Sequence, residues 1–91
     1  MDTSKIAWRI SRGRGQQYVL RNVGTVTAQE VTADTVPFEG IPTRGLPEKA
    51  VIETNASITF MLVPSAQNDM PGELRLRWEG QDTYVAVPLP N

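Results

Sequence analysis

The sequence ELRLRWEGQDTYVAV, residues 73–87, decides the fold class. Apolar and charged residues alternate in its first half, so Leu74, Leu76 and Trp78 share one face of an extended strand. The residues Gly80 to Asp82 supply a turn, and a second apolar run follows at Thr83–Val87. A strand with one apolar and one polar face is typical of an antiparallel sheet that covers a core. The stretch therefore predicts a β-hairpin with one buried face.

The same alternation recurs along the rest of the chain. It predicts strands over the ranges Ile6–Ser11, Gln17–Arg21, Gln29–Asp34, Ala50–Glu53 and Ser57–Val63. No window has a helical apolar face, and glycine or proline interrupts every long stretch. About seven short strands, with turns roughly every ten residues, are typical of a two-layer sandwich or a small barrel. We predict one all-β domain over residues 1–91, an antiparallel β-sandwich.

Four aromatic residues fall on predicted inward positions: Trp8, Tyr18, Phe60 and Trp78. Each aromatic side chain can bury about 150–250 Å², which is a large share of what a small core needs. We therefore interpret them as packing residues, the alternative being an exposed binding surface.

The stretch Tyr18–Ala28, YVLRNVGTVTA, places Asn22, Val23, Gly24 and Thr25 between two predicted strands. An asparagine that bonds nearby backbone and a glycine with positive φ would build such a turn. The stretch resembles bacterial immunoglobulin-like domains of the CARDB and NEW3 type, and the resemblance spans residues 6–90. It implies an immunoglobulin-like or fibronectin-III-like sandwich, of a kind that adheres, spaces or docks.

The residue types present argue against an enzyme. The chain has no histidine and no cysteine, which excludes catalytic triads, thiol nucleophiles and the ordinary zinc ligand sets. Asn68-Asp69 is the one calcium-plausible position, and no glycine-rich phosphate loop is present. The acidic residues on strands fall on outward positions, where a solvated face explains them better than acid–base chemistry does: Glu30, Asp34, Glu73 and Glu79. We expect a non-enzymatic protein without a cofactor or a metal.

Charge is distributed unevenly along a chain whose net charge is −1. Residues 1–24 carry five basic residues and one acidic residue, whereas residues 25–74 carry seven acidic and two basic residues. We expect a molecule that is polar end to end or face to face. The basic residues of the first segment form a candidate basic patch: Arg9, Arg12, Arg14 and Arg21.

The run Arg12-Gly13-Arg14-Gly15 has the composition of a nucleic-acid-binding Arg-Gly segment. A hairpin turn explains the same residues more simply, because glycine supplies the positive φ that such turns require. Arg75 and Arg77 belong to a strand of the other predicted sheet, so the arginines would not form one patch. The sequence therefore argues against nucleic acid as the partner.

Residues 35–50 contain three prolines and two glycines, so they cannot form a central strand. Their apolar residues Phe38, Ile41 and Leu46 either cap an open end of the sandwich or, with Arg44, present a surface to a protein partner. An edge strand in this region could also accept a partner strand.

We expect a protein-interaction module, an adaptor or accessory protein that binds its partner through the 36–47 segment or an edge strand. One alternative is a structural immunoglobulin-like domain that decorates a phage virion or a surface assembly. A third is a nucleic-acid binder that uses Arg12, Arg14 and Arg21. Self-association stays open.

No apolar run approaches the about 20 residues of a membrane helix, which predicts a protein without membrane contact. The absence of cysteine favours a reducing compartment, and the first residues lack the apolar region of a signal peptide. We expect a cytoplasmic protein, or a virion-associated one if it is phage-encoded.

Overall fold

The structure is a computed structural model that describes residues 5–63 and 71–90. These residues form two four-stranded antiparallel sheets, which we call the front sheet, in the order β1-β2-β6-β4, and the back sheet, in the order β5-β3-β7-β8. The strands are β1 (Trp8–Arg12), β2 (Gln17–Asn22), β3 (Ala28–Ala33), β4 (Thr43–Arg44), β5 (Ala50–Ile52), β6 (Ser57–Leu62), β7 (Glu73–Trp78) and β8 (Gln81–Pro88). The prediction of an all-β fold is confirmed, with eight strands in place of about seven. No helix in the described part of the chain is long and apolar enough to cross a membrane.

The β7–β8 hairpin is built as its alternation predicts. Leu74 and Leu76 are fully buried, and each lies opposite a valine of β8, Val87 and Val85 respectively. The β7 arginines between the leucines are exposed. One face of the hairpin therefore covers the core that lies between the two sheets.

The four aromatic residues that were predicted to face inward pack in two pairs. Tyr18 and Phe60 are buried cross-strand partners on β2 and β6, with stacked rings whose centroids lie 5.5 Å apart. Trp8 and Trp78 meet edge to face at 5.7 Å and pack against the core, although each is only half-buried. The tryptophan pair joins the front sheet to the back sheet, so packing is the role of all four residues.

The connection from β2 to β3 is fixed by Asn22, which is fully buried. Its side-chain amide donates to the carbonyls of Val26 at 2.9 Å and Ile52 at 3.0 Å, and its Oδ1 accepts from the N–H of Gly24 at 2.9 Å. The predicted bonding to nearby backbone is present, and the bond to Ile52 adds a link to β5 of the opposite sheet.

The role predicted for Gly24 needs a correction. Gly24 is not among the described glycines with positive φ. A Cβ at this position would overlap the carbonyl oxygen of Lys5 and lie 2.8 Å from the nitrogen of Ala7. Glycine is required here because the segment before β1 passes directly over the turn, where the Thr25 N–H donates to the Lys5 carbonyl at 2.6 Å.

The 35–50 stretch is more regular than its prolines indicate. A short 3-10 helix spans Val36–Phe38, and Thr43–Arg44 pairs with β6 at the edge of the front sheet. The Pro47 carbonyl accepts a hydrogen bond from the N–H of Ala33 at 2.9 Å, which ties the segment to β3. The segment therefore crosses from the back sheet to the front sheet and returns to form β5.

Candidate functional site

The 36–47 segment presents a different surface from the predicted one. Phe38 and Ile41 are 4% and 6% exposed and belong to the core, because the 3-10 helix turns Phe38 inward and the Ile41 N–H bonds to its carbonyl at 2.9 Å. Phe38 and Ile41 were expected either to cap the sandwich or to face a partner, and in the structure they cap the sandwich. Leu46 is half-buried. Val36, to which the sequence interpretation gave no role, is 66% exposed.

Val36 and Leu46 line a groove of about 580 Å³ beside the back sheet. Thr32 of β3 and Tyr84 of β8 also line it, and the Tyr84 side chain is 40% exposed. The groove places the exposed part of the 36–47 segment on the same side of the molecule as β8.

Strand β8 is an edge strand of the back sheet, and β1 of the front sheet approaches it. Among the described strands β8 pairs with β7 alone, and its central residues Asp82–Ala86 are all exposed. Val85 lies opposite the fully buried Leu76, on the inner face of the sheet, and is nevertheless 36% exposed. β8 therefore leaves apolar surface uncovered on the core side as well as on the outer side, where Tyr84 lies.

The backbone of β8 presents hydrogen-bonding groups to solvent. The Leu89 N–H donates to the Gly72 carbonyl at 3.0 Å, so the N–H groups of Val87 and Val85 also face β7 by alternation. The backbone groups of Ala86 and Pro88 then face away from β7. Pro88 lacks an N–H, and it occupies a position where the sheet requires none.

The predicted basic patch is divided by the fold. Arg9 and Arg21 are direct cross-strand partners on β1 and β2, and they share the outer face of the front sheet. Arg12 lies elsewhere, with its guanidinium 5.1 Å from the centre of the Tyr18 ring and its Nη2 donating to the Gly15 carbonyl at 2.8 Å. Arg14 is exposed in the turn between the strands, where Gly15 has φ 57°.

Two further arginines lie on the back sheet, as predicted. Arg75 donates from Nε to Glu73 at 2.9 Å, and this hydrogen bond, with the carboxylate charge, raises the pKa of Arg75. The Arg77 guanidinium lies 5.3 Å from the centre of the Tyr84 ring. Arg44 was predicted to contact a partner together with the 36–47 segment. It lies instead opposite Met61, on the outer face of the front sheet, because its neighbour Thr43 lies opposite the buried Leu62.

The described acidic residues do not form a metal centre. Glu30, Glu79 and Asp82 line a groove of about 460 Å³ on the back sheet, together with Lys49 and Arg77. No group of three or more carboxylates within 5–63 and 71–90 is arranged to hold a metal ion. The calcium-plausible pair Asn68-Asp69 lies outside the described residues.

Comparison of the chain with protein-family models, with curated proteins and with solved structures gives no match.

Proposed function

We propose that this chain is a non-enzymatic protein-interaction module that binds an extended segment of a partner protein along β8. The observation that carries the proposal is the run of five exposed residues, Asp82–Ala86, in the centre of an eight-residue edge strand. An extended peptide that adds to such an edge gains main-chain hydrogen bonds, and its alternate side chains provide specificity.

The other three edge strands support the choice of β8. β4 and β5 have two and three residues, which is too short for a partner strand of ordinary length. β1 has two arginines and a serine among its five residues, and charged side chains on an edge strand protect it from pairing. β8 has no lysine or arginine, and its one proline stands at its last residue. An edge this long and apolar invites pairing with another chain unless it serves a partner.

The side chains of β8 indicate what the partner segment would carry. Val85 lies at the edge of the core and is partly exposed, and Tyr84 lies on the outer face beside Arg77. A strand added beside β8 would place alternate residues over these two sites. We therefore expect an apolar residue facing Val85, and an acidic or polar residue near Arg77.

The strand order supports an immunoglobulin-like or fibronectin-III-like assignment, which is part of the proposal. If β1, β2, β6 and β4 are assigned as A, B, E and D, and β3, β7 and β8 as C, F and G, the order of strands within each sheet agrees with that assignment. β5 would be an added C′ strand. The chain departs from the usual order of strands in one respect, because β4 comes before β5. The strand in the D position therefore lies between the C and C′ strands in the sequence.

A matched pair of valine-to-lysine variants tests the proposal. Val85→Lys places a charge on the β8 edge, and Val51→Lys places the same charge on β5, the opposite edge of the same sheet, where Val51 is 58% exposed. The immobilised protein would be used to capture partners from a lysate of the organism that encodes it, and the captured protein would be purified for binding measurements. We expect Val85→Lys to weaken binding by about tenfold or more, roughly 1.4 kcal/mol, and Val51→Lys to leave it unchanged.

Thermal melting of both variants would establish that each is folded. Equal binding by wild type and Val85→Lys, or equal loss in both variants, would contradict binding along β8. Loss of binding on Val36→Ser alone would move the interface to the groove beside the 36–47 segment.

A further inference from the structure

The outer face of the front sheet carries an excess of positive charge that binding along β8 does not use. The front-sheet strands contain no acidic residue, and three of their four arginines, Arg9, Arg21 and Arg44, lie on the outer face, whereas the back-sheet strands contain three acidic residues and two arginines. The uneven charge of the sequence is thus a difference between the two faces of the sandwich.

Arg9 and Arg21 form the centre of this face. They are direct cross-strand partners, and the Val23 N–H to Ala7 carbonyl bond two residues away places them at a hydrogen-bonded position. Their Cα atoms are therefore about 5.5 Å apart. Like charges at such positions repel each other. Neither side chain forms an ion pair with any described residue, so the sheet keeps this repulsion uncompensated.

The surroundings of the pair are suited to an oxyanion. The Arg21 Nε donates to the Asn55 carbonyl at 3.1 Å, which holds the guanidinium of this exposed side chain. Ser11 and Ser57 line the same shallow groove, which has a volume of about 590 Å³. Two guanidiniums beside two hydroxyl groups are a donor set that matches a phosphate group.

Arg44 extends the site across the sheet. Arg44 lies opposite Met61, and Arg21 lies opposite Ser57, four residues away on β6. At about 3.4 Å per residue and about 4.8 Å per strand, the Cα atoms of Arg44 and Arg21 are roughly 17 Å apart. One phosphate group cannot span that distance, so a ligand that satisfies all three arginines must carry several anionic groups.

The acidic residues of the back sheet do not cancel this charge. Packed sheets are about 10 Å apart, which is close to the Debye length of about 10 Å at 0.1 M salt, so salt screens the back-sheet carboxylates from the front-sheet arginines.

The described side chains on the outer face include no aromatic residue on which a base could stack, because the aromatic residues of the front-sheet strands point inward. A ligand on this face would therefore be recognised through its backbone charges alone.

We propose that the outer face of the front sheet binds the phosphate backbone of double-stranded nucleic acid without sequence preference. The Arg9–Arg21 pair contacts one phosphate group, and Arg44 contacts a second. Arg12 and Arg14 of the predicted patch are not required. The pairing of Arg9 with Arg21 keeps part of the basic patch that the sequence predicted, whereas Arg12 lies against Tyr18.

The test uses the anisotropy of a fluorescein-labelled, mixed-sequence DNA duplex of about 20 base pairs. For two contacted phosphate groups, affinity falls roughly 12-fold between about 50 and about 200 mM salt, from a slope of about −0.9 per phosphate. The double variant Arg9→Gln/Arg21→Gln retains one contact, and its affinity falls only about 3- to 4-fold over the same range.

The matched control is Arg75→Gln/Arg77→Gln, which removes the same net charge from the back sheet. The Arg75→Gln/Arg77→Gln variant retains the wild-type salt dependence. The Arg9→Gln/Arg21→Gln variant melts at or above the wild-type temperature, because it loses the like-charge repulsion. Equal weakening in the two double variants would show a general charge effect and overturn the proposal. So would undetectable binding at about 50 mM salt. Inorganic pyrophosphate that binds wild type as tightly as the duplex would also overturn it, because the ligand would then be a small phosphate.

Discussion

The replacement Asn22→Ala tests the link that we assign to the β2–β3 connection. The side chain is fully buried and makes three hydrogen bonds, to the Ile52 and Val26 carbonyls and from the Gly24 N–H. The bond to Ile52 is buried, so its loss leaves a carbonyl without a partner at a cost of about 1–3 kcal/mol. The other two bonds are partly buried and contribute about 1 kcal/mol each. We predict that Asn22→Ala lowers the free energy of unfolding by about 3–5 kcal/mol.

Urea unfolding followed by tryptophan fluorescence would measure this loss, since Trp8 and Trp78 lie at the interface of the two sheets. Thr54→Ala is the matched control, because the Thr54 hydroxyl donates a single exposed hydrogen bond, at 3.1 Å, to the carbonyl of Gly24 in the same turn. We expect the control to lose less than about 1 kcal/mol. An Asn22→Ala protein within about 1 kcal/mol of Thr54→Ala would refute the reasoning, since Asn22 would then be an ordinary turn residue.

Three further substitutions test the packing. Gly24→Ala should lower stability by about 1–3 kcal/mol, because the segment at Lys5 must shift; an unchanged urea midpoint would contradict the close approach. Trp78→Ala should lower stability by about 3 kcal/mol, near the lower end for a tryptophan because it is half-buried, and a melting temperature that hardly moves would argue against its pairing with Trp8. Lys49 has φ 51°, so Lys49→Gly should raise stability by up to about 1 kcal/mol; a lower free energy of unfolding would show that the lysine side chain contributes more than the strain costs.

Alternation alone located most of the strands, because each has one face on the core. β7 and β2 are the clearest cases: their inward residues Leu74, Leu76, Tyr18 and Leu20 are all buried. β4 was missed because two residues between Pro42 and Gly45 show no periodicity, and only their pairing with β6 makes them a strand. β3 also departs from simple alternation, because a bulge lies between Ala28 and Val31, where Glu30 has φ 52°.

The candidate sites were harder to predict, because exposure depends on contacts between distant segments. Nothing local to Phe38 or Ile41 distinguishes a residue that caps a core from one that faces solvent. The edge position of β8 follows from strand order, which the alternation of a single strand does not contain. The Arg9–Arg21 pair did leave a signal, since both residues lie six positions from Gly15, on which the hairpin turn is centred.

Hydrogen exchange at the Ala86 amide, in the free protein and with the captured partner bound, tests binding along β8 most directly. In the free protein the Ala86 N–H faces away from β7 and should exchange rapidly, while the Val87 amide is protected by its bond to β7. We predict that the bound partner slows exchange at Ala86 by about tenfold or more, as an added strand supplies its acceptor. Rapid exchange at Ala86 in the complex would contradict the account, because the partner would then be held by another surface.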